Sequence, residues 1–159
     1  MQETFYATFA GLSFTLLGLW WVVVQFKYQQ WMADLKRRQM AYNVSLYFIL
    51  PGIMSLVSLL SGEAKFLWRG AFAMAGIFGL VEALRMALSS TQGRSVWVIM
   101  GRWFAVVLYG LVTIVAFVPE MVQGLGIPLK PIEAEGVMLS IILFLGVNFT
   151  WMMFVEPES

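Results

Sequence analysis

Apolar residues along the chain gather into five long runs, at about 4–26, 41–62, 66–88, 96–118 and 136–155, separated by short polar stretches. Each run has the roughly 20 residues that a helix needs to cross about 30 Å of hydrocarbon. None shows the strict alternation of a transmembrane β-strand. The bilayer core holds no water to satisfy backbone groups, so helices are the only spanning form left. The pattern predicts an all-α, polytopic integral membrane protein, a single transmembrane domain over residues 1–159 built as a bundle of about five helices. The alternative is four helices plus a re-entrant or peripheral one, and a re-entrant fifth run would carry the C-terminus to the other side.

Within these runs small and polar residues are not scattered. In TFYATFAGLSFTLLGLWWVVVQ a step of 3.5 residues picks out Thr4, Thr8, Gly11, Thr15, Gly18, Val22 and Gln25, while Phe9, Leu12, Phe14, Leu16, Leu19 and Trp20 fall elsewhere. The second run carries Asn43, Tyr47, Pro51, Ser55, Ser58 and Gly62 in the same manner, and the third repeats Ala75, Gly79, Ala83 and Ala87 with Gly76 beside them. Membrane helices associate through close backbone approach and interhelical hydrogen bonds, which enriches small residues at their contacts. The third stripe is therefore expected to pack on a neighbouring helix. The first two fit either packing or the hydroxyl-lined wall of a pore, with Thr8, Gly11, Thr15, Gly18, Ser55 and Ser58 as the candidate pore or helix-seam residues. Pro51 removes a backbone donor in mid-helix and is expected to kink it or recruit a serine or water.

Charge supplies the orientation. Over 159 residues, hydrophobic content is 60%, charged content 12% and net charge +1, and mean hydropathy is +0.81; soluble domains are about 45–50% apolar and about 25% charged. Basic residues favour the cytoplasmic loops. The first connection holds Lys27, Lys36, Arg37 and Arg38, and the third holds Arg94, with Arg85 and Arg102 just inside the flanking helices. The fourth carries Glu120, Glu133 and Glu135 against Lys130 alone. This places the N-terminus outside and the C-terminus in the cytoplasm, with a bacterial inner (plasma) membrane as the expected location. MQETFY lacks the basic segment of a cleavable signal peptide, so the first run is expected to stay in the mature protein.

No Gly or Pro intervenes between Gly18 and Pro51, so the first helix is expected to run on to about Arg37. Lys36, Arg37 and Arg38 then face anionic lipid, at about 1 kcal/mol per basic residue, or serve only as the topology signal. Six of the seven tryptophans fall near cytoplasmic helix ends and Trp68 near an outer end, which reads as an interfacial belt.

Ionisable groups inside a membrane cost about 2.5–3.5 kcal/mol or more each at the centre, and are usually paired or functional. Glu82, Arg85, Arg102 and Asn148 form an expected polar layer. Glu82 and Arg102 lie ten residues either side of Gln92, so in an antiparallel hairpin they share a depth and are expected to form an interhelical pair, with Asn148 hydrogen-bonded to it. The competing arrangement pairs Glu82 with Arg85 on one helix while Arg102 snorkels. Arg69, near an outer end, needs only to snorkel.

The chain has no Cys and no His, which removes disulfides, Fe–S clusters and the commonest metal and haem ligand. It contains no Walker A, GxGxxG, HExxH or GxSxG motif and no potassium-filter or voltage-sensor sequence. No enzyme activity, cofactor, metal or nucleic acid is expected, and the expected partners are membrane lipids, further copies of the chain and a small ion. Five helices without an internal repeat fit a secondary transporter poorly. The leading expectation is a homo-oligomeric channel or channel-like pore for a small ion. The alternative is a non-conducting interaction or sensor subunit of a larger complex.

Overall fold

The structure, a computed structural model, describes residues 2–61, 64–89, 96–124, 126 and 128–155. Gly62, residues 90–95 of the third connection with Arg94, and the C-terminal EPES lie outside the described residues. Within them the chain forms seven helices: α1 (Gln2–Phe26), α2 (Tyr28–Ala33), α3 (Leu35–Ser61), α4 (Lys65–Leu88), α5 (Val96–Phe117), α6 (Glu120–Gly124) and α7 (Pro131–Val155). Five of them, α1, α3, α4, α5 and α7, are long and apolar enough to cross a membrane. The protein is an all-α polytopic membrane protein, and its fifth long span is a full helix.

The long helices run up and down, and side-chain contacts sort their ends. Gln2 donates to Glu133 Oε1 at 3.0 Å and Tyr6 OH to Ile132 O at 2.6 Å. Arg69 donates to the carbonyls of Ala116 and Phe117, both at 3.0 Å. The starts of α1, α4 and α7 and the end of α5 therefore belong to one end, which carries the acidic connection. At the other, basic end Trp31 of α2 lies 5.6 Å from the Trp20 ring and 6.0 Å from Phe154.

The expected continuation of the first helix to Arg37 is not what forms. The chain leaves the helix after Phe26, makes the short α2, and turns at Asp34, whose backbone is extended (φ −101, ψ 114). Asp34 Oδ1 accepts the Lys36 N–H at 2.9 Å, which is the N-cap geometry that satisfies an orphan donor of a new helix. The second long helix thus starts at Leu35 and not at 41. The last one starts at Pro131 and not at 136. Proline suits a first helical position because its missing N–H has no partner there, and Glu133 Oε2 reaches back to the Lys130 N–H at 2.9 Å, half of a capping box.

Helix α3 is central, with 61% of an 18-residue apolar stretch buried against 22% for α1, and packs on α1, α4 and α7. Three glycines sit where helices meet most closely. A Cβ on Gly76 of α4 would meet Thr113 Oγ1 at 2.6 Å, one on Gly79 would overlap the Tyr109 ring, and one on Gly146 of α7 would meet Tyr47 Cβ at 2.7 Å. The third small-residue stripe is thus the α4–α5 contact, the most extensive in the bundle.

Pro51 stays inside α3. Ser55 Oγ donates to Pro51 O at 2.7 Å, one turn on from the Tyr47 carbonyl whose ladder partner the proline removes. The tryptophan belt is only partly a belt. Trp21, Trp97, Trp103 and Trp151 are exposed, but Trp20, Trp31 and Trp68 belong to the core. The Trp20 indole N–H reaches Ala41 O at 3.1 Å, so burying it leaves no orphan donor.

Candidate functional site

At the basic end the inner parts of α3, α4 and α5 stand apart around a cleft of about 350 Å³ lined by Lys36, Gln39, Asn43, Glu82, Arg85, Ser89 and Arg102, with Met40, Tyr42 and Met86. Its charged walls come from three helices. Lys36 lies in the first turn of α3, just past the Asp34 cap. Glu82 and Arg85 project from one face of α4, three residues apart, and form an ion pair at 2.8 Å. Arg102 arises from the second turn of α5.

The expected interhelical pair between Glu82 and Arg102 is therefore replaced by the intrahelical one. Arg102 is 2% exposed, and its NH1 donates to Met86 O at 2.9 Å and to Ser89 Oγ at 3.1 Å. The last carbonyls of α4 lack intrahelical donors and carry the negative end of the helix dipole. A long guanidinium rising from a neighbouring helix donates to one of them, whereas Glu82 already has Arg85 as its partner. Arg102 does snorkel toward the basic end, but onto a helix terminus, not headgroups. Asn148 does not join the layer. Its Nδ2 donates to Phe144 O on its own helix at 2.8 Å, and it borders an apolar surface groove with Trp97, Phe104 and Phe149.

Below the cleft Asn43 and Glu82 also border a smaller space of about 10 Å³, together with Tyr47, Gly79 and Tyr109, large enough for about one water. The Tyr109 hydroxyl is buried and finds no partner among the described residues. Arg37 and Arg38 lie outside the cleft, Arg37 beside Asp34 at 3.9 Å.

The candidate seam residues divide between two places. Thr8, Gly11, Thr15 and Gly18, with Thr4, Val22 and Gln25, are all exposed, and a Cβ on Gly11 or Gly18 would meet nothing within 4 Å. The buried face of α1 is Tyr6, Phe9, Ala10, Ser13 and Trp20. At about 100° per residue the two sets point about 180° apart. Ser55 is wholly buried in α3 and Ser58 partly so, with their hydroxyls on Pro51 O and Met54 O. The two stripes do not face each other. The chain matches no family model, no curated protein and no solved structure.

Glu133 and Glu135, both expected in the outer connection, lie on α7; Glu135 has 0% exposure, and among the described residues neither of its carboxylate oxygens has a hydrogen-bond partner. The signal was present: Pro131 and Glu133 mark an earlier helix start, and from there Glu135, Leu139, Ile142, Gly146 and Phe149 share one buried face. Among the described residues no three His, Cys, Asp or Glu side chains come together as a metal site.

Proposed function

We propose that the protein assembles with copies of itself along the α1 stripe and that the shared axis conducts a small ion. The observation that carries this reading is the direction of the stripe, which points directly away from the protomer's own packed face. From Thr4 to Gln25 it extends about 32 Å at 1.5 Å per residue, close to the thickness of a bilayer core. The Thr15 hydroxyl donates to Gly11 O at 2.8 Å, so the helix meets part of the cost of carrying polar groups at that depth. What remains is a smooth surface of the kind on which membrane helices approach.

Inside the protomer Met54, Phe72, Val112, Leu139 and Ile142 are all at 0% exposure. A conduction path belongs between protomers, around a symmetry axis.

Reconstitution in liposomes with an ion-flux assay, alongside the protein's mass in detergent, tests this reading. Gly11→Leu, which meets open space in the protomer, is expected to abolish assembly and flux, whereas Leu12→Ile should preserve both. A strictly monomeric, silent protein would end it. A second reading, a non-conducting interaction or sensor subunit, draws support from Ser55 and Ser58, whose hydroxyls are turned onto carbonyls of their own helix. Under that reading the stripe docks on a helix of another membrane protein, and an absence of flux selects it.

A further inference from the structure

We propose that the cleft at the basic end binds the phosphate of an anionic headgroup, with Lys36 and Arg85 as the contacting cations. Among the described residues its exposed cations, Lys36 and Arg85, share one carboxylate, Glu82. Cations gathered in a part-buried hollow repel one another unless a counter-charge is supplied.

The walls differ in role. Arg102 is buried and fixed on Met86 O and Ser89 Oγ, so it covers the negative end of α4 that would otherwise repel an anion. Lys36 is exposed at the mouth and makes no ion pair among the described residues. Arg85, whose side chain is 70% exposed, uses NH1 for Glu82 and keeps the rest of its five-donor fork. A point-charge ammonium beside a planar guanidinium is the pairing that suits a phosphate. Deeper in, the Asn43 amide and the Tyr109 hydroxyl, which has no partner among the described residues, border the adjoining space, polar groups that a headgroup or its water can use. The exposed Tyr42 ring on the rim gives an acyl chain an apolar way out. The phosphate can arrive on an inner-leaflet lipid or on a soluble ester. The proposal is independent of ion conduction.

The test uses the full chain in nanodiscs of phosphatidylcholine with or without phosphatidylglycerol, and counts bound lipid by native mass spectrometry. A parallel arm adds glycerol 3-phosphate or inorganic phosphate to phosphatidylcholine discs. Phosphatidylglycerol should be retained over phosphatidylcholine, and Lys36→Ala and Arg85→Ala should each weaken retention about fivefold. Glu82→Gln should strengthen it by a similar factor. The control Lys27→Ala with Arg38→Ala, which removes the same type of charge outside the cleft, should change nothing. Retention of the soluble esters in place of the lipid, with the same response to the variants, supports the site and assigns it a soluble ligand. Equal losses in the control and in the cleft variants, or no preference for either phosphate source, would overturn the proposal.

Discussion

The ring of Tyr109 on α5 lies so closely on Gly79 of α4 that a β-carbon there would overlap it. The two helices meet at hydrogen-for-side-chain distance, and Gly76 repeats the arrangement one turn away against Thr113.

Gly79→Ala is accordingly expected to lower the thermal unfolding midpoint in micelles, by about 1–3 kcal/mol of overpacking, and Gly79→Leu to prevent folding. Gly18→Ala, facing open space, should leave the midpoint of the isolated protomer unchanged. Equal midpoints for Gly79→Ala and Gly18→Ala would contradict the α4–α5 contact.

Arg102 and Arg85 are both arginines near the basic end with opposite expected costs. Arg102→Ala removes two hydrogen bonds from a charged donor, to Met86 O and Ser89 Oγ, leaves Met86 O only the Ser89 hydroxyl, and empties a buried volume; hydrogen bonds to a charged donor contribute about 1.5–3 kcal/mol, so a loss of at least that size is expected. Arg85→Ala removes a side chain that is itself 70% exposed and leaves Glu82, 17% exposed, to turn toward the cleft, so a smaller loss than for Arg102→Ala is expected. Chemical unfolding of the two variants in the same detergent checks the order, and a larger loss for Arg85→Ala would restore the ion pair as the main structural element.

Glu135 has no hydrogen-bond donor for either oxygen among the described residues. Placing an uncompensated carboxylate in a dry interior is costly, and its replacement by a neutral residue of similar shape is often neutral or stabilising. Glu135→Gln is expected to keep or raise the unfolding midpoint, whereas Glu135→Lys should not fold. A marked fall for Glu135→Gln would reveal a partner that needs the carboxylate.

The distribution of basic residues predicts that position 36 faces the cytoplasm and position 130 the other side. The chain has no Cys, so Lys36→Cys and Lys130→Cys give clean sites for a membrane-impermeant maleimide in right-side-out vesicles. Labelling at 130 and not at 36 is expected, and the reverse pattern inverts the topology.

The five spans were legible because each is a long apolar run, and a run of that length has only one way to cross a bilayer. The stripe on α4 was legible as a contact for the same kind of reason. The partner of a stripe was not. Gly79 and Gly11 read alike in the sequence, yet one lies under Tyr109 of the same chain and the other faces outward, because a small residue permits close approach without naming what approaches. Helix starts were misjudged where hydropathy was followed in place of caps: Asp34 and Pro131 each open a helix five or six residues before the apolar run begins. The depth argument that paired Glu82 with Arg102 compared backbone levels. An arginine side chain reaches more than a helical turn along the axis, and Arg102 used that reach to find Met86 O.

Trp31 closes the basic end by standing between Trp20 of α1 and Phe154 of α7, and Gln2 and Tyr6 tie the same two helices at the acidic end. The first and last long helices are thus buckled together at both tips, with α3 as the bar between them. Any partner that shifts α1 lengthwise has to break the hydrogen bonds of Gln2 and Tyr6 and part Trp31 from Phe154, so α1 and α7 are expected to move as a pair.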